Sequence, residues 1–209
     1  MTLVEIGESG LLDLSPAEQA RRHLMATLPE LLPFEAIEVR CLDIRSKPAG
    51  IGPRFFLTSV EEVVEVAMEH RERWDVFYGV GTRACPGALS MSHCQHTEKG
   101  ADHVSRLNVV WGDFDAKTEE EFDSVSGILN ALALPPTVVV GSGTGLHGYW
   151  CLAEPTTELA RVERVNRSLR LRLGADNAVD AARILRIAGT FNHKYGEPLP
   201  VRLLVAPDV

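Results

Sequence analysis

Residues 111–117 read W-G-D-F-D-A-K, an apolar strand that runs directly into two aspartates separated by one phenylalanine. Side chains alternate faces along a strand, so Asp113 and Asp115 share one face while Phe114 turns back into the core. Two carboxylates held side by side resist joint ionisation unless a cation sits between them. A divalent ion, or a pair of ions about 3.5–4 Å apart as in phosphoryl-transfer sites, relieves that repulsion. Aspartate is also common where strands end in turns, so the pair acquires meaning only from partners elsewhere in the chain.

Working outward, L-N-V-V-W-G (107–112) supplies the strand. Thr118 and Glu121 then form an N-terminal capping box for a helix whose Phe122, Val125, Leu129 and Leu132 recur at helical spacing up to Pro135-Pro136. Thr137 to Val140 is a short apolar strand that breaks into S-G-T-G-L-H-G-Y-W-C-L (142–152). Gly143 and Gly145 let backbone N–H groups approach an anion closely, as phosphate-binding turns do. If a strand resumes at Leu146, then His147, Tyr149 and Cys151 share a face. A helix follows over Thr156 to Leu173, with Gly174 past its end. Its Arg161, Arg164, Arg167, Arg170 and Arg172 are either a solvated surface or a face for nucleic acid. Residues 178–194, A-V-D-A-A-R-I-L-R-I-A-G-T-F-N-H-K, add a third acid, Asp180, with Arg183, Arg186 and Lys194. The chain closes on L-P-V-R-L-L-V, another strand.

Towards the N-terminus, Ser15 opens S-P-A-E and predicts a helix to about Leu28. Ile37 to Arg45 alternates as a half-exposed strand. Lys47 to Pro53 has the glycine and proline density of a loop, and no G-K-S or G-K-T follows to make it a phosphate loop. Thr58 with Glu61, or Ser59 with Glu62, caps a helix carrying Val60, Val63, Val64, Ala67 and Met68. V-F-Y-G-V (76–80) reads as a buried strand ending at Arg83, whose planar fork suits a phosphate or a solvated loop. Residues 84–106 gather Cys85, His93, Cys94, His96 and His103, so zinc is conceivable, although the C-x7-H-C-x-H spacing departs from ordinary structural zinc sites.

The bulk properties fit this organisation. The 209 residues are 45% hydrophobic and 24% charged, as expected of one soluble globular domain. The first ten residues do not read as a secretory signal, and no apolar run approaches the ~20 residues of a membrane span. Four irregularly spaced cysteines argue for a reducing compartment rather than a disulfide framework. A net charge of −8 argues against non-specific nucleic-acid binding by the whole surface, leaving room for a local basic patch.

In order, the strand with D-x-D, the glycine-rich turn with His147, and D-x-x-R-I-L-R-I-x-G-T-x-N-x-K resemble the archaeo-eukaryotic primase superfamily, specifically the primase-polymerase domains of phage and plasmid replication proteins. The resemblance spans roughly Val76 to Val205. It implies an α+β catalytic core, in which an RNA-recognition-motif-like sheet packs with a second αβ unit and the active site lies in the cleft between. Residues 1–50 would form an N-terminal helix and strand and residues 51–209 the core motifs, all of one domain, expected to be the N-terminal part of a longer protein.

The resemblance further implies Mg²⁺ or Mn²⁺ on Asp113, Asp115 and Asp180, and the triphosphate of a dNTP or NTP on His147. Arg186 and Lys194, then Arg83 and Lys117, are the cations expected to neutralise the phosphates, and Ser142 is a candidate hydroxyl in the turn. The expected activity is metal-dependent nucleotidyl transfer to a primer 3′-hydroxyl on a single-stranded DNA template, in the cytoplasm of a bacterial host or archaeal cell, with a helicase domain or partner and no membrane association. A metal-dependent nuclease using the same acids, and a non-catalytic nucleotide- or DNA-binding module, are the alternatives.

Overall fold

The computed structural model describes residues 13–45, 49–84 and 103–207. Local signals set the helices. In α1 (Pro16–Thr27), Pro16 occupies the first turn and the Ser15 side chain accepts from the Glu18 N–H. Ser59 caps α2 (Val60–His70) by accepting from Glu62 N–H, and Glu62 in turn accepts from Thr58 N–H. Thr118 and Glu121 form the complete capping box of α3 (Glu119–Asn130). α4 (Leu159–Leu173) ends at Gly174 in the left-handed conformation, φ 75°.

The strands form two antiparallel sheets, plus a small ribbon. The first contains β1 (Glu35–Asp43), β2 (Gly50–Leu57), β3 (Asp75–Gly79), β4 (Arg83–Ala84) and β8 (Ile184–Arg186), in the order β2-β1-β3-β8 with β4 also pairing β1. The second contains β5 (Leu107–Asp115), β6 (Val138–Gly141), β7 (Gly145–Thr156) and β11 (Arg202–Val205), in the order β11-β6-β7-β5. The ribbon pairs β9 (Phe191–Asn192) with β10 (Leu199–Pro200). The architecture is α+β, as expected.

One expectation fails here. Gly50 to Pro53 was expected in a loop, yet it is the first half of β2, paired with β1 from Asp43↔Gly50 to Ile37↔Leu57. β2 lies at the sheet edge, where a proline costs no ladder hydrogen bond. Gly52 is required by packing, since a Cβ there would lie 2.8 Å from both the Cys41 carbonyl oxygen and the Trp74 ring.

A single apolar core joins both sheets, with Val39, Val76 and Tyr78 from the first packed in one cluster with Val109, Trp111, Val139 and Leu146 from the second. Helix α1 bridges them. Its His23 is wholly buried, accepts the Ala188 N–H at Nδ1 and meets the Tyr78 hydroxyl at Nε2. Tyr78 donates to Thr27 Oγ1, which donates to the His23 carbonyl, so the polar atoms close a ring inside the core.

Candidate active site

The aspartates stand where the strand alternation put them, within β5 rather than after it. Across the ladder Asp113 faces His147 and Asp115 faces Gly145 of β7. This close pairing depends on Gly145: a Cβ there would lie 2.1 Å from the Phe114 carbonyl oxygen. Asp113 is half-buried and Asp115 exposed. Burial, then the charge of Asp115, raises the Asp113 pKa above the ordinary carboxylate value.

His147 lies inside, 2% exposed, with Nε2 3.5 Å from Asp113 Oδ1. Burial, with Arg186 nearby, pushes its pKa down to about 3, so the ring is neutral at pH 7 and the contact is not an ion pair. Its Nδ1 is buried without a hydrogen-bond partner among the described residues.

The cations arrive from the other sheet and the segment after it. Arg186 on β8 bonds Asp75 Oδ1 and Asn192 Oδ1 and stacks 4.9 Å from the Phe77 ring centroid. From there its charge, with those of Arg183 and Lys194, favours ionised Asp113. Asn192 ties the pieces together: its Nδ2 donates to the Ser142 carbonyl at 2.9 Å, while its Oδ1 accepts from Arg186 and from the Lys194 N–H. Ser142 is itself buried at the base of the glycine turn. Lys117 lines a cleft of about 480 Å³ with Thr118, Gly143, Gly145 and Arg202.

Two expected residues are engaged in ion pairs. Arg83 was expected at phosphate, but its guanidinium is 3% exposed and bound to the wholly buried Glu38 at 2.7 Å. Asp180, expected to join the aspartate pair, is half-exposed and bonded to Arg183 at 2.6 Å. A carboxylate in electrostatic contact with the pair is Asp176, which lies just before the 178–194 segment and was not among the expected site residues. Burial and the charges of Asp115 and Asp113 raise its pKa, opposed by Lys117 and Lys194. Its N–H donates to the Asp113 carbonyl at 2.6 Å. The available signal was its position two residues beyond the helix-ending Gly174.

Among the described residues no three His, Cys, Asp or Glu side chains converge tightly enough to hold a metal ion by themselves. A pair of hard carboxylates still fits Mg²⁺ or Mn²⁺, because such ions keep several waters and take further oxygens from substrate phosphates. The zinc candidates Cys85, His93, Cys94 and His96 lie outside the described residues. Among the described residues no helix is long and apolar enough to cross a membrane.

The fold these elements define is that of the archaeo-eukaryotic primase-polymerases. The chain is similar to the primase-polymerase domain of cyanophage S-2L, with TM-score 0.62 and 13% identity over 92% of both chains. It is also similar to primase RepB′, with TM-score 0.58 and 17% identity over 90% of this chain and 55% of that one. The catalytic domain of RepB′ in complex with initiator DNA gives TM-score 0.55 and 17% identity over 92% of this chain and 86% of that one. No protein-family model matches the sequence, and no curated protein matches it.

Proposed function

We propose that the protein is a metal-dependent nucleotidyltransferase that extends a nucleic-acid 3′-end on a single-stranded DNA template. The observation that carries this reading is electrostatic: Asp113 and Asp115 share one face of β5, and the charges of Arg186, Arg183 and Lys194 act on Asp113 from other elements.

Asp113 and Asp115 would hold Mg²⁺ or Mn²⁺, with Asp176, whose charge is coupled to theirs, as a further carboxylate and Asp180 as the third acid that the resemblance implies. The metal would lower the pKa of the attacking hydroxyl and offset charge on the triphosphate. The chain's own part is positioning and electrostatics. Arg186, braced by Asp75 and Asn192, presents a preorganised guanidinium to phosphate oxygens. Lys194 and Lys117 add exposed cations whose charges act on Asp176. Neutral His147 offers a ring N–H without adding another charge. Gly143 and Gly145 serve close packing, against Asn192 and Leu199 and against the Phe114 carbonyl, so the turn supports the site rather than cradling phosphate.

The test is nucleotide incorporation on a primed single-stranded template with Mg²⁺ or Mn²⁺. Wild type is expected to extend the primer and Asp113→Asn to lose at least about 100-fold of the rate. Equal extension by both proteins would refute the assignment. Cleavage of labelled DNA without added nucleotide would instead identify a nuclease, and metal-dependent nucleotide binding without turnover a binding module.

A further inference from the structure

The arginines of α4 stand apart from the others. Among the described residues, most arginines outside this helix are committed to carboxylates: Arg21 and Arg22 to Glu18, Arg45 to Asp43, Arg40, Arg54 and Arg83 to Glu38. In a chain of net charge −8 that is the expected outcome. Yet Arg164, Arg167 and Arg172 are exposed and form no ion pair among the described residues. The acid inside this helix, Glu163, is turned inward to accept the Ala181 N–H at 2.8 Å. Successive residues advance 100° around a helix, which places Arg164 opposite the buried Val162 and Asn166, with Arg167 and Arg172 on its flanks.

The direction of the helix gives this face a purpose. Asn166 accepts the Trp111 N–H, and beyond the helix end Asp176 donates to the Asp113 carbonyl. α4 therefore runs alongside β5 in the same sense and ends at the carboxylates. From Arg164 to Arg172 the face extends about 12 Å toward them.

We infer that the outward face of α4 is a track for the phosphate backbone of single-stranded nucleic acid, delivering it to the Asp113–Asp115 edge. Guanidinium forks match phosphate oxygens, and an acid-free stripe on an otherwise acidic protein confines binding to one path. A lipid surface fits less well, because most apolar side chains of α4 are already occupied: Val162 is buried, Leu159, Leu169 and Leu173 pack on the core, and only Val165 and Leu171 stay exposed. The inference rests on the reading of the site as one that acts on nucleic-acid ends.

The experiment compares wild type, R164Q/R167Q/R172Q and the control R21Q/R22Q for binding to a fluorescent single-stranded oligonucleotide by anisotropy across a salt series. Metal-dependent binding of a fluorescent nucleotide is measured on the same proteins. The α4 variant is expected to lose at least about 10-fold in oligonucleotide affinity near 0.1 M salt, and its log K against log salt slope to flatten by about 2, for three lost phosphate contacts at ~0.7 each. Its nucleotide binding and circular dichroism are expected to match wild type, and the control to match throughout. An unchanged affinity and slope overturns the track; so does a defect confined to binding of anionic phospholipid vesicles, or one that extends equally to nucleotide. If the α4 variant loses DNA while wild type incorporates no nucleotide, the track stands and nucleotidyl transfer falls.

Discussion

Two shielded carboxylates in this molecule have opposite surroundings. Glu38 in β1 is wholly buried, and three guanidinium groups, those of Arg83, Arg40 and Arg54, close around it. Its pKa is lowered: burial alone would raise it, and the cations overcome that. Asp113 in β5 is half-buried beside another carboxylate, and its pKa is raised. In the first case the protein supplies the countercharge itself. In the second it withholds full compensation, which is the charge balance that the proposed metal site calls for.

Breaking the Glu38 cluster should have the largest effect. Glu38→Ala leaves Arg83 buried without its anion and is expected to cost about 3–5 kcal/mol in urea unfolding. Primer extension per folded molecule should stay near wild type. Asp113→Asn should do the reverse, with extension falling at least about 100-fold while the melting temperature holds or rises, because a repulsion is removed. Were Asp113→Asn as damaging to stability as Glu38→Ala, the contrast between the two carboxylates would collapse.

The middle of the scale belongs to His23. Its pKa is lowered from an ordinary 6.5 to about 3 by burial, with the neighbouring His147 adding to the effect. A depressed pKa means that the stability it carries is complete above about pH 6.5 and is lost as pH falls from there toward about 3. The expected slope is on the order of 1 kcal/mol per pH unit for this histidine. Chemical unfolding at pH 7 and pH 5 on wild type and His23→Gln checks it: the variant should be less stable at pH 7 but lose less between the two. The smallest effect is expected from Arg21→Gln, whose solvent-screened pairs with Glu18 and Glu61 should leave the urea midpoint close to wild type.

What the sequence made legible follows the range of the interactions involved. Ser15, Ser59 and Thr118 mark helix starts because a cap acts over three residues. The shared face of Asp113 and Asp115 follows from the period of a strand, and the facing of His147 onto Asp113 agrees with the order of the motifs. Arg83 was misplaced because its partner Glu38 lies 45 residues away, on a strand whose alternation gives no sign of a buried acid. Asp176 was missed for a related reason. Only the packing of α4 along β5 brings its backbone to Asp113, and nothing in G-A-D-N distinguishes it from a solvated linker. Gly50 to Pro53 looked like a loop because composition does not reveal that a proline sits on an unpaired sheet edge.

Asn192 has a consequence of a mechanical kind. One amide group holds the glycine turn through Ser142, the guanidinium of Arg186 and the backbone of Lys194. These parts belong to different elements, and without it each would have its own clearance. With it they form a truss with one pin, so a rocking motion that widened the gap between turn and arginine would have to break the pin rather than stretch it. The spacing between turn and guanidinium is thereby tied to a single side-chain amide.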